Sequence, residues 1–333
     1  RLIAKGWDIK CVVSEDNAIT DWCLKQNIPH LINYQSLQEQ FSEKSVDYVF
    51  SITNLKLLPD WLLQLGHRAI NFHDGPLPRY AGLNVPLWAI MNDEPEHGIT
   101  WHEMTVDVDA GQILAQQLFP VVPGETALSI NAKCYQTALE SFDKLIDELI
   151  NGTNQPKAQS QEDRSYFGLI KRPEAAVIID WNKTAAEIDR LVRALDHGNY
   201  ANPLVSVKFE VGGALIVAKQ STIVSNPTSV SAGQIIAHTA DSLTVACGQN
   251  AIKLSNLCSV LGESYSCILS LLKEHDLSDG SQLFNWPQSE RQALSERVKN
   301  VCRYEPFWVN RLLNAESVSI PYAKNVGANN TDR

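Results

Sequence analysis

The chain has 333 residues, 44% of them hydrophobic, and a formal net charge of -10, which is length enough for about two domains with their own cores. The acidic balance argues against a nucleic-acid-binding surface, because phosphate contacts need Lys and Arg in excess. Seven cysteines without a C-x-x-C pair read as buried reduced thiols, no His cluster has metal-ligand spacing, and no apolar run approaches the ~20 residues of a membrane helix, so the expected setting is the cytoplasm with no metal and no membrane partner.

In chain order, Trp7–Ser14 (WDIKCVVS) reads as a buried strand and Asn17–Ile28 as a helix. Val46–Ile52 is a second apolar run, a short helix with Pro59 near its first turn follows, and Ala69–Phe72 is a third run. Short apolar strands alternating with helices predict an α/β unit with a largely parallel sheet. Gly98–Val121 alternates with a period of two and breaks at Asp109-Ala110-Gly111, which predicts strand, tight loop, strand. Thr126–Gly152 reads as a long amphipathic helix, with Leu128, Tyr135, Leu139, Phe142, Ile146 and Leu149 as its apolar face. Thr153–Ser165 has no periodicity and reads as a linker. A helix over Lys183–Leu195 precedes short strands at Leu204–Phe209, Ala214–Ile223, Gly233–His238, Ser242–Ala246 and Ala251–Leu257, the pattern of a small barrel or sandwich. The remainder is helical. The expected boundaries are 1–152 for a first domain, 153–168 for a linker, 169–258 for a small β-barrel and 259–333 for a helical connector. The start at Arg1 and the polar end NVGANNTDR read as cut from a longer polypeptide.

The segment Ile70–Ile90 leaves its strand with Asn71 and His73, then packs Pro76, Pro78, Pro86, Gly75 and Gly82 into a stiff loop. In open α/β sheets ligands sit beyond the carboxyl ends of strands, and Asp109 lies in a loop that can face this corner. Amide, imidazole and carboxylate together suit acyl transfer: one donates to a developing oxyanion, one shuttles a proton, and one orients and charges the ring. On spacing alone the plainer reading is favoured: a turn-forming Asn, a capped or exposed His and a turn Asp before Gly111. His102, Trp88 and Trp101 read as core.

The strings NFHDGPLPRYAG and, about thirty residues on, HGITWHEMTVDVDAGQILAQ closely resemble the 10-formyltetrahydrofolate-dependent formyltransferase family. The resemblance covers roughly residues 1–260. It implies a Rossmann-like, mostly parallel catalytic domain, here without its N-terminal strand, followed by a small OB-like β-barrel. It implies that Asn71 and His73 flank the formyl carbon of 10-formyltetrahydrofolate, and that Asp109 orients His73 and takes the amine's proton, directly or through water. Lys56, Leu57 and Leu58 would line the pteridine pocket, with core packing the alternative for the leucines. Thr105, Val106, Asp107 and Val108 would bond the pterin edge through their backbone, with loop capping the alternative for Asp107.

Two departures bear on the acceptor. Ala81 stands where tRNA- and sugar-formylating members usually carry Arg, and Asp74-Gly75 follow His73 where those members have Ser. Tyr304–Lys324 resembles the connector into adenylation domains of nonribosomal peptide synthetases, with an ordinary terminal helix pair the alternative. The expected acceptor is then an aminoacyl group on the phosphopantetheine arm of a carrier domain, beside an adenylation domain in the same polypeptide. The alternatives are methionyl-tRNA, an amino-sugar nucleotide, or water in a hydrolase.

Overall fold

The computed structural model describes residues 1–313 apart from 201, 203, 226–229, 266 and 267; the part of the expected connector after residue 313 lies outside the described residues. The chain opens with a short parallel pair, β1 (Val12–Val13) and β2 (His30–Leu31), linked by α1 (Asn17–Gln26). Helix α1 starts where the Asp16 carboxylate accepts from the Ala18 and Ile19 N–H groups, and ends at Asn27 in the left-handed region. Only two residues of the strand expected over Trp7–Ser14 are extended, and neither is fully buried. The charged side chains of Asp8 and Lys10 pair with each other at the surface there.

After α2 (Leu37–Gln40) comes the main sheet: β3 (Val46–Ser51), α3 (Asp60–Leu63), β4 (Gly66–His73), β5 (Ala81–Gly82), α4 (Val85–Met91), β6 (Glu96–Glu103) and β7 (Ile113–Pro120). Its order is β3-β4-β6-β7. The β3–β4 pair is parallel, while β4–β6 and β6–β7 are antiparallel. The expected alternation of strand and helix thus holds up to β4, and the return through α4 brings β6 back in the opposite direction.

Helix α5 (Ala127–Ile150) covers one sheet face. Thr126 and Ser129 cap it reciprocally. Its buried stripe is Ile130, Cys134, Ala138, Phe142, Leu145, Ile146 and Leu149, packed on Ile70, Phe72, Ile99 and Trp101. Leu128, Tyr135 and Leu139, expected in that stripe, are 39%, 52% and 54% exposed. The helix carries two adjacent apolar rows, and the small side chains of Cys134 and Ala138 let the other row approach the indole of Trp101 closely.

Residues 153–165 lead to β8 (Tyr166–Phe167), which pairs in parallel with β5. The second part holds α6 (Ala185–Ala194) and five antiparallel strands: β9 (Lys208–Val211), β10 (Ala214–Val224), β11 (Ile235–His238), β12 (Ser242–Ala246) and β13 (Ala251–Ser259). They form one curled sheet of order β11-β12-β13-β10-β9. Helices α7 (Ile268–Glu274), α8 (Gln288–Cys302) and α9 (Glu305–Leu313) follow. The core of this second part takes in Tyr80, Val85, Leu87 and Trp88 from the first. Trp88 and Trp101 are core residues, as expected.

Candidate active site

Strand pleating decides what faces the cleft. Successive side chains alternate between faces, so the row Ile70, Phe72, Ile99, Trp101 under α5 leaves Asn71, His73, Thr100 and His102 on the other side. The β4–β6 register sets Asn71 opposite His102 and His73 opposite Thr100. Four polar side chains therefore share one patch of sheet. Asp109 closes over it from the β6–β7 loop, with φ at +51°, in the left-handed region that Asp tolerates better than most residues.

Asn71, His73 and Asp109 meet here. His73 Nδ1 lies 3.7 Å from Asp109 Oδ2 and 3.9 Å from Asp74 Oδ1. Its Nε2 is 2.7 Å from the Tyr80 carbonyl oxygen. A carbonyl only accepts, so Nε2 carries the hydrogen, and Nδ1 is the nitrogen left to exchange a proton within the cleft. Gly75 permits this fit: a Cβ there would stand 2.7 Å from His73 Nε2 and 2.6 Å from the Tyr80 oxygen.

His102 belongs to the site as well. It is buried and hydrogen-bonded, as a core histidine should be, but its partners are Asn71 and Asp109. Its Nδ1 donates to the Glu103 carbonyl at 2.8 Å. Its Nε2 is 3.2 Å from Asn71 Nδ2 and 3.4 Å from Asp109 Oδ1. Unprotonated, Nε2 accepts from the Asn71 amide; protonated, it donates to Asp109. The signal for this lay in strand register, which the sequence alone does not display.

The Asp109 carboxylate is 9% exposed, and both of its oxygens are engaged. Oδ1 faces His102, and Oδ2 accepts from the Gly82 N–H at 2.8 Å. Burial pushes its carboxyl up, but the His102 bond, the His73 ring and the Gly82 N–H outweigh that and bring it down to about 2. It is a fixed anion near neutrality.

The segment expected as a linker holds this carboxylate. Gln159 Nε2 donates to the carbonyls of Asp109 (2.9 Å) and Gly111 (2.6 Å). Arg164 donates to the carbonyls of Val108 (2.7 Å) and Asp109 (3.2 Å). The strap is itself tied down: Lys157 and Ile113 exchange backbone bonds at 2.8 Å, Ser165 Oγ accepts from the Tyr80 N–H, and the Ser165 carbonyl accepts from the Ala81 N–H. The stiff loop after His73 is anchored from below, where Thr100 donates to the Gly75 carbonyl and Gln116 to the Leu77 carbonyl, both at 2.7 Å. None of Gln159, Arg164, Thr100 and Gln116 stood out in the sequence.

Of the residues expected along the pterin wall, Thr105–Val108 lead directly into Asp109, and Lys56–Leu58 lie in the loop after β3. Lys56 pairs with Glu15 at the surface. Leu57 is 78% exposed, while Leu58 is half-buried against the small core of Leu37, Leu62 and Leu65. The Thr105 hydroxyl donates to the Asp107 carbonyl, Val106 is 79% exposed, and the Val108 carbonyl is taken by Arg164. Among the described residues no hydrogen bond or ion pair joins these two loops, no group of His, Cys, Asp and Glu could hold a metal, and no helix is long and apolar enough to cross a membrane.

Two family models match the chain: "Formyl transferase" over residues 14–144 and "Formyl transferase, C-terminal domain" over residues 173–259. Among solved structures, WlaRD, a sugar 3N-formyl transferase crystallised with dTDP and 5-N-formyl-THF, is 19% identical with a TM-score of 0.61, over 76% of this chain and 90% of that one. The N-formyltransferase of Helicobacter canadensis, in complex with folinic acid and dTDP-3-aminofucose, is 20% identical with a TM-score of 0.57, over 72% and 82%. HypX of Aquifex aeolicus, in complex with tetrahydrofolic acid, is 17% identical with a TM-score of 0.58, over 84% of this chain and only 50% of HypX. At these identities the solved structures show a shared fold.

Proposed function

The chain belongs to the formyl transferase family, and from that premise we propose that it moves the formyl group of 10-formyltetrahydrofolate to the amine of an aminoacyl group tethered to a carrier domain. The observation that carries the formyl chemistry is the convergence of Asn71, His73 and the ionised Asp109 on one buried patch. The bound donor supplies the formyl carbon; the protein supplies donors, charge and proton traffic. The exposed side chains of Leu55, Leu57 and Val106 suit the faces of an aromatic ring system, which fits the donor to the loops on either side of the cluster.

An amine adding to a formyl carbonyl places negative charge on its oxygen. One Asn71 amide hydrogen goes to His102 Nε2 when that nitrogen is unprotonated, and the other is left to meet that oxygen. His73 Nδ1 exchanges the proton. Asp109 was expected to take the amine's proton, but an anion held near 2 is a poor base near neutrality. Its part is to set a fixed negative charge 3.7 Å from His73 Nδ1, beside the nitrogen that handles the proton.

The carrier-tethered acceptor is supported by what the cleft offers a phosphate. Ala81 is fully buried in β5, paired with Tyr166 of β8, in the place where tRNA- and sugar-formylating members usually carry Arg. The nearby Arg79 spends its charge on Glu94. An acceptor delivered on a flexible arm needs little affinity of its own, because tethering raises its effective concentration. The test offers aminoacyl-loaded carrier domain, initiator methionyl-tRNA and a dTDP-amino sugar side by side with 10-formyltetrahydrofolate, and follows formyl label by mass spectrometry. Label on the loaded carrier is expected. Label on the tRNA or sugar alone replaces the acceptor, and release of free formate alone makes the protein a hydrolase.

A further inference from the structure

With Asp109 committed, the acceptor's proton needs another destination. We propose that Asp74 receives the acceptor's ammonium group and takes its first proton, an inference that rests on the amine-formylating reading above. Asp74 Oδ1 is 3.9 Å from His73 Nδ1, the same nitrogen that faces Asp109 at 3.7 Å. The two carboxylates differ in every other respect. Asp109 is 9% exposed, with Oδ2 accepting from the Gly82 N–H and Oδ1 facing His102. The Asp74 side chain is 37% exposed, and among the described residues His73 is its one ion-pair partner within 4.0 Å.

Its direction is set by the backbone. The Asp74 carbonyl is turned inward, where it accepts from His97 Nε2 at 2.8 Å and from the Cys134 thiol at 3.8 Å. Gly75, which follows Asp74 and admits no side chain against His73, is held by the Thr100 hydroxyl through its carbonyl. The carboxylate is partly open to solvent beside His73, with lone pairs to spare. Together with Asp109 it makes the His73 corner attractive to a cation, and a primary amine near neutral pH arrives as one.

The groups around Asp74 leave it the task. Burial brings His97 down to about 4, so it stays neutral. Burial pushes the Cys134 thiol and the Tyr135 hydroxyl up, with the Asp74 charge adding to both, so neither ionises near neutrality. Burial, with Asp109 behind it, also pushes the Asp74 carboxyl up against the pull of His73 and of its own N–H. Solvent at the open third of the side chain moderates that push, and the direction is the one that makes a carboxylate a better base.

The step balances as follows. An N–H bond of the ammonium breaks and an O–H bond forms on Asp74, leaving a neutral amine. Its lone pair forms the new N–C bond to the formyl carbon. A second amine proton passes through His73 Nδ1 to the donor nitrogen as the old C–N bond breaks. The proton on Asp74 leaves to solvent.

The test uses the full chain with 10-formyltetrahydrofolate and two probe acceptors. The glycyl thioester of N-acetylcysteamine is an ammonium at pH 7, whereas O-methylhydroxylamine is a neutral amine there. Asp74→Asn is expected to lower kcat/KM on the thioester by ~10²-fold, to lower it far less on O-methylhydroxylamine, and to leave a thioester rate that keeps climbing with pH until the amine itself has lost its proton, where the wild-type rate levels off earlier. Asp74→Glu should restore part of the loss. Equal losses on both probes would make Asp74 structural, and no loss on the thioester would leave it idle; either result overturns the proposal. Should the wild-type chain formylate neither probe nor the loaded carrier, the formyl-transfer reading fails first and takes the proposal with it.

Discussion

At Asn71 one side-chain amide has two hydrogens and two destinations, His102 Nε2 and the oxygen of the bound formyl group. Asn71→Asp keeps the shape, removes both donors and adds negative charge where negative charge develops. Activity should fall by the equivalent of ~3–4 kcal/mol of barrier while donor affinity changes little; near wild-type kcat at saturating donor would reduce Asn71 to a turn residue. His73→Ala should cost ~10²-fold or more in kcat as a positioned proton-transfer group is lost, and steady-state kinetics would read it directly. His97 gives a different kind of prediction. Its folded value, about 4, lies below the ordinary 6.5, mainly through burial. The unfolded chain therefore binds more protons between those values, so this contribution to stability is complete above about pH 6.5 and is lost as pH falls toward 4. The loss should reach about 3 kcal/mol by pH 4. Urea melts from pH 7 to 4 should show it in the wild type and not in His97→Gln; parallel pH slopes would refute it.

Among elements, the strap over residues 153–168 holds Asp109 through Gln159 and Arg164. The double substitution Gln159→Ala and Arg164→Ala leaves every group at the cleft in place but frees the loop that carries the carboxylate. A shift of about 1 Å there can cost ~10²-fold in rate. The expected result is a fall in kcat with faster hydrogen exchange across residues 105–111, and unchanged exchange in that loop would show the strap to be passive. This segment explains much of what the sequence could and could not convey. Asn71, His73 and Asp109 were legible because their surroundings form long, specific strings. His102 was not, because its role depends on which residue β4 sets opposite it, and register is a pairing property. The strap was not, because its bonds run from side chains to carbonyls some fifty residues away and leave no period. Helix α5 was legible in extent and not in phase, since two apolar rows compete and packing volume at Cys134 and Ala138 selects between them.

In the molecule as a whole, the family matches mark two regions, but the packing does not stop between them. Trp88 of α4 stacks on Phe167 at 5.2 Å and belongs to the core of the curled sheet. Trp88→Ala should cost about 3–5 kcal/mol, a large share of a typical total stability, and calorimetry should show one cooperative transition moving to lower temperature. Two separate transitions, with only one of them shifted, would mean that the shared core does not couple the halves. The joint also limits how the protein can be recombined. The two family matches leave residues 145–172 unclaimed, the natural place for an engineer to cut when swapping acceptor-handling parts between such enzymes. A chimera spliced at residue 152 would inherit Asp109 from one parent and the side chains that hold its carbonyl from the other, so the crossover that leaves the chemistry in one parent's hands lies beyond Phe167.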